Sequence, residues 1–156
     1  MLQLRPYQKE AIDAALNSGY LNQLIVLPTG TGKTHMFLNL AKIRDSKTLI
    51  IVHRDELIRQ TVDKISSIWP EEQIGIIKAK LHEVDHKITV ASVQSLNARR
   101  LQRMNGITYD TIITDEAHHA VAKSYMKVYE WGGVLNNPHQ TAMHIGVAVT
   151  PICIAV

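Results

Sequence analysis

Short apolar runs recur along the chain, separated by longer stretches in which apolar positions return at helical spacing. Residues 23–27 (QLIVL), 48–52 (TLIIV), 73–77 (QIGII), 87–91 (KITVA), 110–114 (DTIIT) and 143–149 (MHIGVAV) are rich in Ile and Val and poor in charge. Such runs predict strands covered on both faces, as in a parallel sheet. Pro6 suits a first helical turn, and Ala11, Ile12, Ala15 and Leu16 then form one stripe. Met36, Phe37, Leu40 and Ala41 form a second stripe. Asp55 can start a third helix, with Ile58, Val62, Ile65 and Trp69 on one face. Strands alternating with helices predict an α/β domain with a mainly parallel sheet. Ligands of such sheets bind beyond the carboxyl ends of the strands. The chemistry is therefore expected in the loops after residues 27, 52, 91, 114 and 149.

Composition narrows the class without naming a chemistry. The 156 residues, 46% hydrophobic and 20% charged, suit one globular domain over 1–156 and exclude a disordered chain. A single cysteine, Cys153, excludes an internal disulfide framework and a cysteine-rich zinc site. The start, MLQLRPYQKE, has no long apolar core, and no apolar run approaches the ~20 residues that span a bilayer. A cytoplasmic protein without a membrane partner is expected. The net charge of +3 permits contact with nucleic acid without requiring it.

The loop after the first strand carries the strongest signal. Residues 27–34 read LPTGTGKT, the second half of a phosphate-binding loop, with Leu27 where the first glycine of the strict pattern stands. Gly30 and Gly32 can adopt the backbone angles that turn N–H groups toward phosphate oxygens. Pro28, Thr29 and Thr31 complete the loop. Lys33 can reach the β- and γ-phosphates and is expected to stand exposed when the loop is empty. The Thr34 hydroxyl can ligate magnesium, and the helix beginning near Gly32 adds its positive end. The alternative is a strand-to-helix turn that happens to hold two glycines.

A second signal lies half a chain away. Residues 110–119 read DTIITDEAHH, a buried strand ending in two carboxylates. In a P-loop protein Asp115 is then the magnesium-holding aspartate, in part through water, and Glu116 the base for the attacking water. The alternative is a capping carboxylate at the start of the next helix. His118 and His119 lack the further ligands a zinc site needs.

Taken together, LPTGTGKT and DEAH resemble motifs I and II of superfamily 2 helicases, and the resemblance extends from Leu4 to Pro151. It is nearest to the restriction-subunit-like and excision-repair-like branches. It implies a three-layer RecA-like P-loop NTPase domain that binds ATP and Mg2+. LRPYQKEAI at residues 4–12 resembles the Q-motif region, so Gln8 would read the adenine edge with Arg5 near the base; the alternative for Gln8 is a solvated helix residue. IIVHRDELIRQ (50–60) and TVASVQSL (89–96) resemble the strand-gripping motifs. On that resemblance His53, Arg54, Gln60, Ser92 and Gln94 contact nucleic acid, DNA before RNA, whereas their plainer reading is caps and solvated surface. GVAVTP at 146–151 resembles motif III, where Thr150 and His118 would couple the two sites; Ala148 replaces an expected hydroxyl.

The family's second RecA-like domain, with its arginine finger, lies outside these residues on this reading, so this chain alone is expected to turn over ATP weakly or not at all. The alternatives are a non-catalytic fragment that binds nucleotide and nucleic acid, and a P-loop ATPase acting on protein or small molecules.

Overall fold

The computed structural model describes residues 3–120 and 122–149. Among these, seven strands form one sheet: β1 (Asn22–Val26), β2 (Thr48–Val52), β3 (Ile74–Lys78), β4 (Leu81–His82), β5 (Ile88–Ser92), β6 (Thr111–Asp115) and β7 (Met143–Ala148). Their order is β1-β7-β6-β2-β5-β3-β4, and each neighbouring pair is parallel except β3 with β4. The helices are α1 (Pro6–Asn17), α2 (Lys33–Arg44), α3 (Glu56–Ile68), α4 (Ala98–Arg103) and α5 (Lys123–Trp131), with a 3-10 turn at Ala117–His119.

Alternation along the central strands builds the three layers. Ile50 and Val52 of β2 join α1, α2 and α3 in one core, through Ile12, Phe37, Leu40, Ile58 and Ile65. Leu49 and Ile51, on the opposite face, pack with Leu101 of α4 and Tyr125, Val128 and Tyr129 of α5. Every residue of β2 and β5 is buried, as their apolar runs predict. Truncating one such isoleucine to alanine removes about 2–5 kcal/mol of stability.

Three features depart from the sequence reading. The edge strand β1 is not covered on both faces, and Leu24 and Val26 are each 40% exposed. The two-residue strand β4 pairs antiparallel with β3, held by the buried Arg100, whose guanidinium donates to the carbonyls of Ala79 and Leu81. Helices α4 and α5 also carry no counterpart among the predicted elements.

A polar cluster lies inside the sheet-to-α5 layer. The Thr114 hydroxyl is 2.8 Å from the Tyr129 hydroxyl and 3.0 Å from His144 Nε2. Burial lowers the His144 pKa from 6.5 to about 4, so the folded protein holds this ring neutral. Between those two values the unfolded chain binds the extra proton. Stability is therefore complete above pH 6.5 and is lost as pH falls toward 4, by up to about 3 kcal/mol. Chemical denaturation across this window measures the slope, and His144→Gln should flatten it. An equal slope in both proteins would assign the acid sensitivity elsewhere. Among the described residues, no helix is long and apolar enough to cross a membrane.

Candidate nucleotide site and adjoining loops

Parallel pairing places the carboxyl ends of β1, β7, β6, β2 and β5 along one edge of the sheet. Val26 is in register with Ala148, Asp115 with Val147, and Val52 with Ser92. The loop after β1 stays tied to β7 through Leu27 N–H, which donates to the Ala148 carbonyl at 3.0 Å. Within the loop the Thr31 hydroxyl donates to the Pro28 carbonyl at 2.6 Å. Gly30 and Gly32 have φ of +76° and +74°, angles strained for any residue with a Cβ. A Cβ on Gly32 would also meet Gln8 Nε2 at 2.7 Å. Gly32 caps α2 without a side-chain acceptor, and the first turn holds no acidic residue. The first N–H groups of the helix thus keep their capacity to bind an anion. Thr34 lies in that first turn, while Pro28 and Thr29 are exposed.

Helix α1 braces the loop from behind. Gln8 is 3% exposed, so it is not a solvated helix residue. Its Nε2 donates to the carbonyls of Thr31 at 2.7 Å and Gly32 at 3.3 Å, while its Oε1 accepts from Arg5 N–H at 2.8 Å. The amide is fully engaged, and binding an adenine edge would require it to exchange partners. Tyr7, which sequence reasoning passed over, donates its hydroxyl to the same Thr31 carbonyl at 2.8 Å. Arg5 is exposed, with Nη1 at 3.4 Å from the Tyr7 hydroxyl.

The second motif meets the first here. Lys33 Nζ lies 3.3 Å from Glu116 Oε1, joining residues 83 positions apart. The Lys33 side chain is 14% exposed, which corrects the expectation of an exposed lysine: the neighbouring carboxylate draws it inward. Glu116 adopts φ +51°, ψ +52°, a left-handed conformation that costs a non-glycine residue about 1–3 kcal/mol. Its N–H donates to Asp115 Oδ1 at 2.9 Å. Burial raises the Asp115 pKa, the Glu116 charge adds to this, and Lys33 partly offsets it. His118 Nδ1 lies 3.4 Å from Glu116 Oε2. Thr150, the other expected coupling residue, lies outside the described residues.

The loops after β2 and β5 interlock beside this centre. Arg54 and Gln94 are exposed, and Gln60 lies on the exposed face of α3. His53 is half-buried and stacks on His119, with ring centroids 3.7 Å apart and planes within 8°. Ser92 departs from its expected role as a surface contact. It is fully buried, and its hydroxyl donates to Asp55 Oδ1 beneath the loop. Ser95 Oγ also donates to that oxygen, at 3.2 Å. Asp55 was readable only as a helix start, yet it ties the two loops together. Ser92 Oγ can still donate to Ser95 Oγ at 2.9 Å, but Asp55→Ala would leave the Ser95 hydroxyl without its acceptor and should cost about 1–3 kcal/mol in chemical denaturation. A change within 0.3 kcal/mol, about the scatter of independent sites, would show that the tie contributes nothing.

Comparison with known proteins places this geometry. A family model described as "Type III restriction enzyme, res subunit" matches residues 1–152. IRC3 of Saccharomyces cerevisiae, named as a candidate ATP-dependent helicase, is 39% identical over 142 residues, covering 81% of this chain and 20% of its own length. The DNA 3'-5' translocase XPB2 of Sulfurisphaera tokodaii is 34% identical over 124 residues, covering 80% of this chain and 27% of its own length. The chain thus spans between 20% and 27% of these two relatives. The Pyrococcus furiosus Hef helicase domain shares the fold, with a TM-score of 0.77 at 22% identity over 94% of this chain and 33% of that one. The chain belongs to the family of the type III restriction enzyme res subunit, as an N-terminal RecA-like domain of the superfamily 2 helicase type.

Proposed function

We propose that this domain binds ATP with magnesium and, together with a second RecA-like domain, hydrolyses it to move along nucleic acid, DNA before RNA. The observation that carries this reading is the Lys33–Glu116 pair at 3.3 Å, which brings the phosphate loop and the acidic strand end into one centre. Gly30 and Gly32 shape the loop, and the first N–H groups of α2 receive phosphate oxygens. Lys33 leaves Glu116 and turns its ammonium to the phosphates. Asp115 and the Thr34 hydroxyl offer the oxygen donors that suit magnesium. The magnesium ion these two side chains would hold would neutralise charge on the phosphate oxygens. The raised pKa of Asp115 fits this donor set, because a buried carboxyl crowded by a second one gains most from a cation. Glu116, once released from Lys33, accepts a proton from the attacking water.

Arg54, His53, Gln60 and Gln94 flank the β2 and β5 loops and form the nucleic-acid side, with Ser92 acting beneath it through Asp55. The name of the Sulfurisphaera relative, a DNA translocase, supports DNA.

Two titrations test the reading. A fluorescent ATP analogue should bind this chain more tightly with magnesium than with a chelator. A single-stranded oligonucleotide should bind with a log affinity that falls linearly against log salt, because phosphate contacts release counterions. Absence of nucleotide binding by the folded chain would overturn the assignment. Salt-independent oligonucleotide binding would remove the motor interpretation.

A further inference from the structure

The family resemblance assigns coupling between the two sites to His118 and a motif III hydroxyl, and Ala148 stands in place of that hydroxyl. A different contact joins the same two regions. From the phosphate loop, Lys33 Nζ reaches Glu116 Oε1 at 3.3 Å, and Glu116 Oε2 reaches His118 Nδ1 at 3.4 Å. The His118 and His119 rings lie 4.1 Å apart, tilted by 44°. His119 then stacks flat on His53, 3.7 Å between centroids. His53 is the first residue after β2, and Arg54 and Asp55 follow it directly.

The stack is a packing contact and not a hydrogen-bonded one. His53 Nδ1 is buried without a hydrogen-bond partner among the described residues, so that nitrogen does not fix the ring. The face of His119 does. Burial lowers the His119 pKa, with the neighbouring His53 and His118 adding to the effect, which keeps a neutral ring suited to stacking. His53 and His119 are half-buried and His118 is exposed, so the stack lies where the two loops meet at the surface, and a ring that moves carries its stacked partner with it. Phosphates that draw Lys33 away free Glu116 to change its hold on His118, and the shift passes to His119 and His53.

We propose that His53 and His119 act as positioning residues, forming a stacked link through which the Glu116 carboxylate and the loop after β2 influence one another. Nucleotide and nucleic acid then change each other's affinity through this stack. The inference rests on the function proposed above.

The test measures the affinity of the chain for a fluorescent ATP analogue with and without saturating single-stranded DNA. The ratio of the two dissociation constants reports coupling. The parent should show a ratio of at least about fivefold, the low end of coupling between sites. His119→Ala should bring the ratio close to one while the affinity for nucleotide alone stays within about twofold. His53→Ala should also bring it close to one, and the double variant should lose no more than either single one, as expected of partners in one contact. His119→Phe, which keeps a stacking ring, should restore most of the ratio, and it guards against reading a folding defect as lost coupling. Failure of the parent to bind nucleotide or DNA overturns the proposed function and this inference with it. A parent that binds both at a ratio of one, or alanine variants that keep the parent ratio, overturns the inference alone.

Discussion

Lys33→Ala is expected to weaken binding of ATP by about a hundredfold or more, on the order of 3 kcal/mol, the upper range for a charge-assisted hydrogen bond. The ammonium is the one side-chain charge of the phosphate loop LPTGTGKT, and alanine at this position offers nothing in its place. Helix-terminal N–H groups remain, so weak residual binding of phosphate is compatible with the reading. The structure adds a second consequence. Because Lys33 partly offsets the raised pKa of Asp115, its removal should raise that pKa further and leave Glu116 without its partner. The cost to folding stays near or below about 1 kcal/mol, since Glu116 keeps access to water. Titration with a fluorescent analogue, alongside thermal denaturation of the same sample, separates the two effects. A folded variant that retains parental affinity would sink the phosphate-loop assignment.

The fold was legible where burial leaves a one-dimensional trace. All six apolar runs became strands within about a residue of their predicted bounds, and the runs of β2 and β5 are the ones buried along their whole length. β4 left no trace, since Leu81 and His82 are too few to show any period. Helix α5 did leave one: Tyr125, Val128 and Tyr129 recur at helical spacing and are buried together. α4 is harder to read, because in ARRLQR a buried arginine, Arg100, does the work of an apolar residue. β1 was read as an interior strand from composition alone, and nothing in NQLIV reports that its neighbour lies on one side only.

At the candidate site, the residues proposed to hold ligands announce themselves by type and spacing, but the residues that position them do not. Gly30 and Gly32 could be read from the demand for positive φ, and both have it. The engagement of Gln8 and Tyr7 with Thr31 depends on how α1 crosses the loop. The burial of Ser92, the role of Asp55 and the His53–His119 stack arise only when β2, β5 and β6 lie side by side. Contacts across strand ends are set by sheet order, and sheet order is not written in any single segment.

Glu116→Gln separates the binding half of the proposed chemistry from the turnover half. The amide has nearly the size of the carboxylate and can keep the turn after β6, but it lacks the basic lone pair that accepts a proton from water. In a protein that also carries the second RecA-like domain, ATP turnover with nucleic acid present should fall by about 10²–10⁴-fold, the range attributed to a positioned general base. Binding should move the other way or not at all. In the parent, Glu116 holds Lys33 at 3.3 Å, so phosphates must compete with a carboxylate for the ammonium. The amide is a weaker competitor, and the dissociation constant for ATP should be unchanged or several-fold lower. Asp115, relieved of the second cause of its raised pKa, should ionise more readily and hold a cation at least as well. Single-turnover kinetics and a nucleotide titration on the same preparation give both numbers. Equal turnover in parent and variant would remove Glu116 as the base. A tenfold loss of ATP affinity would show that the Lys33–Glu116 pair is no competitor, and that Glu116 instead helps assemble the empty site for its ligand.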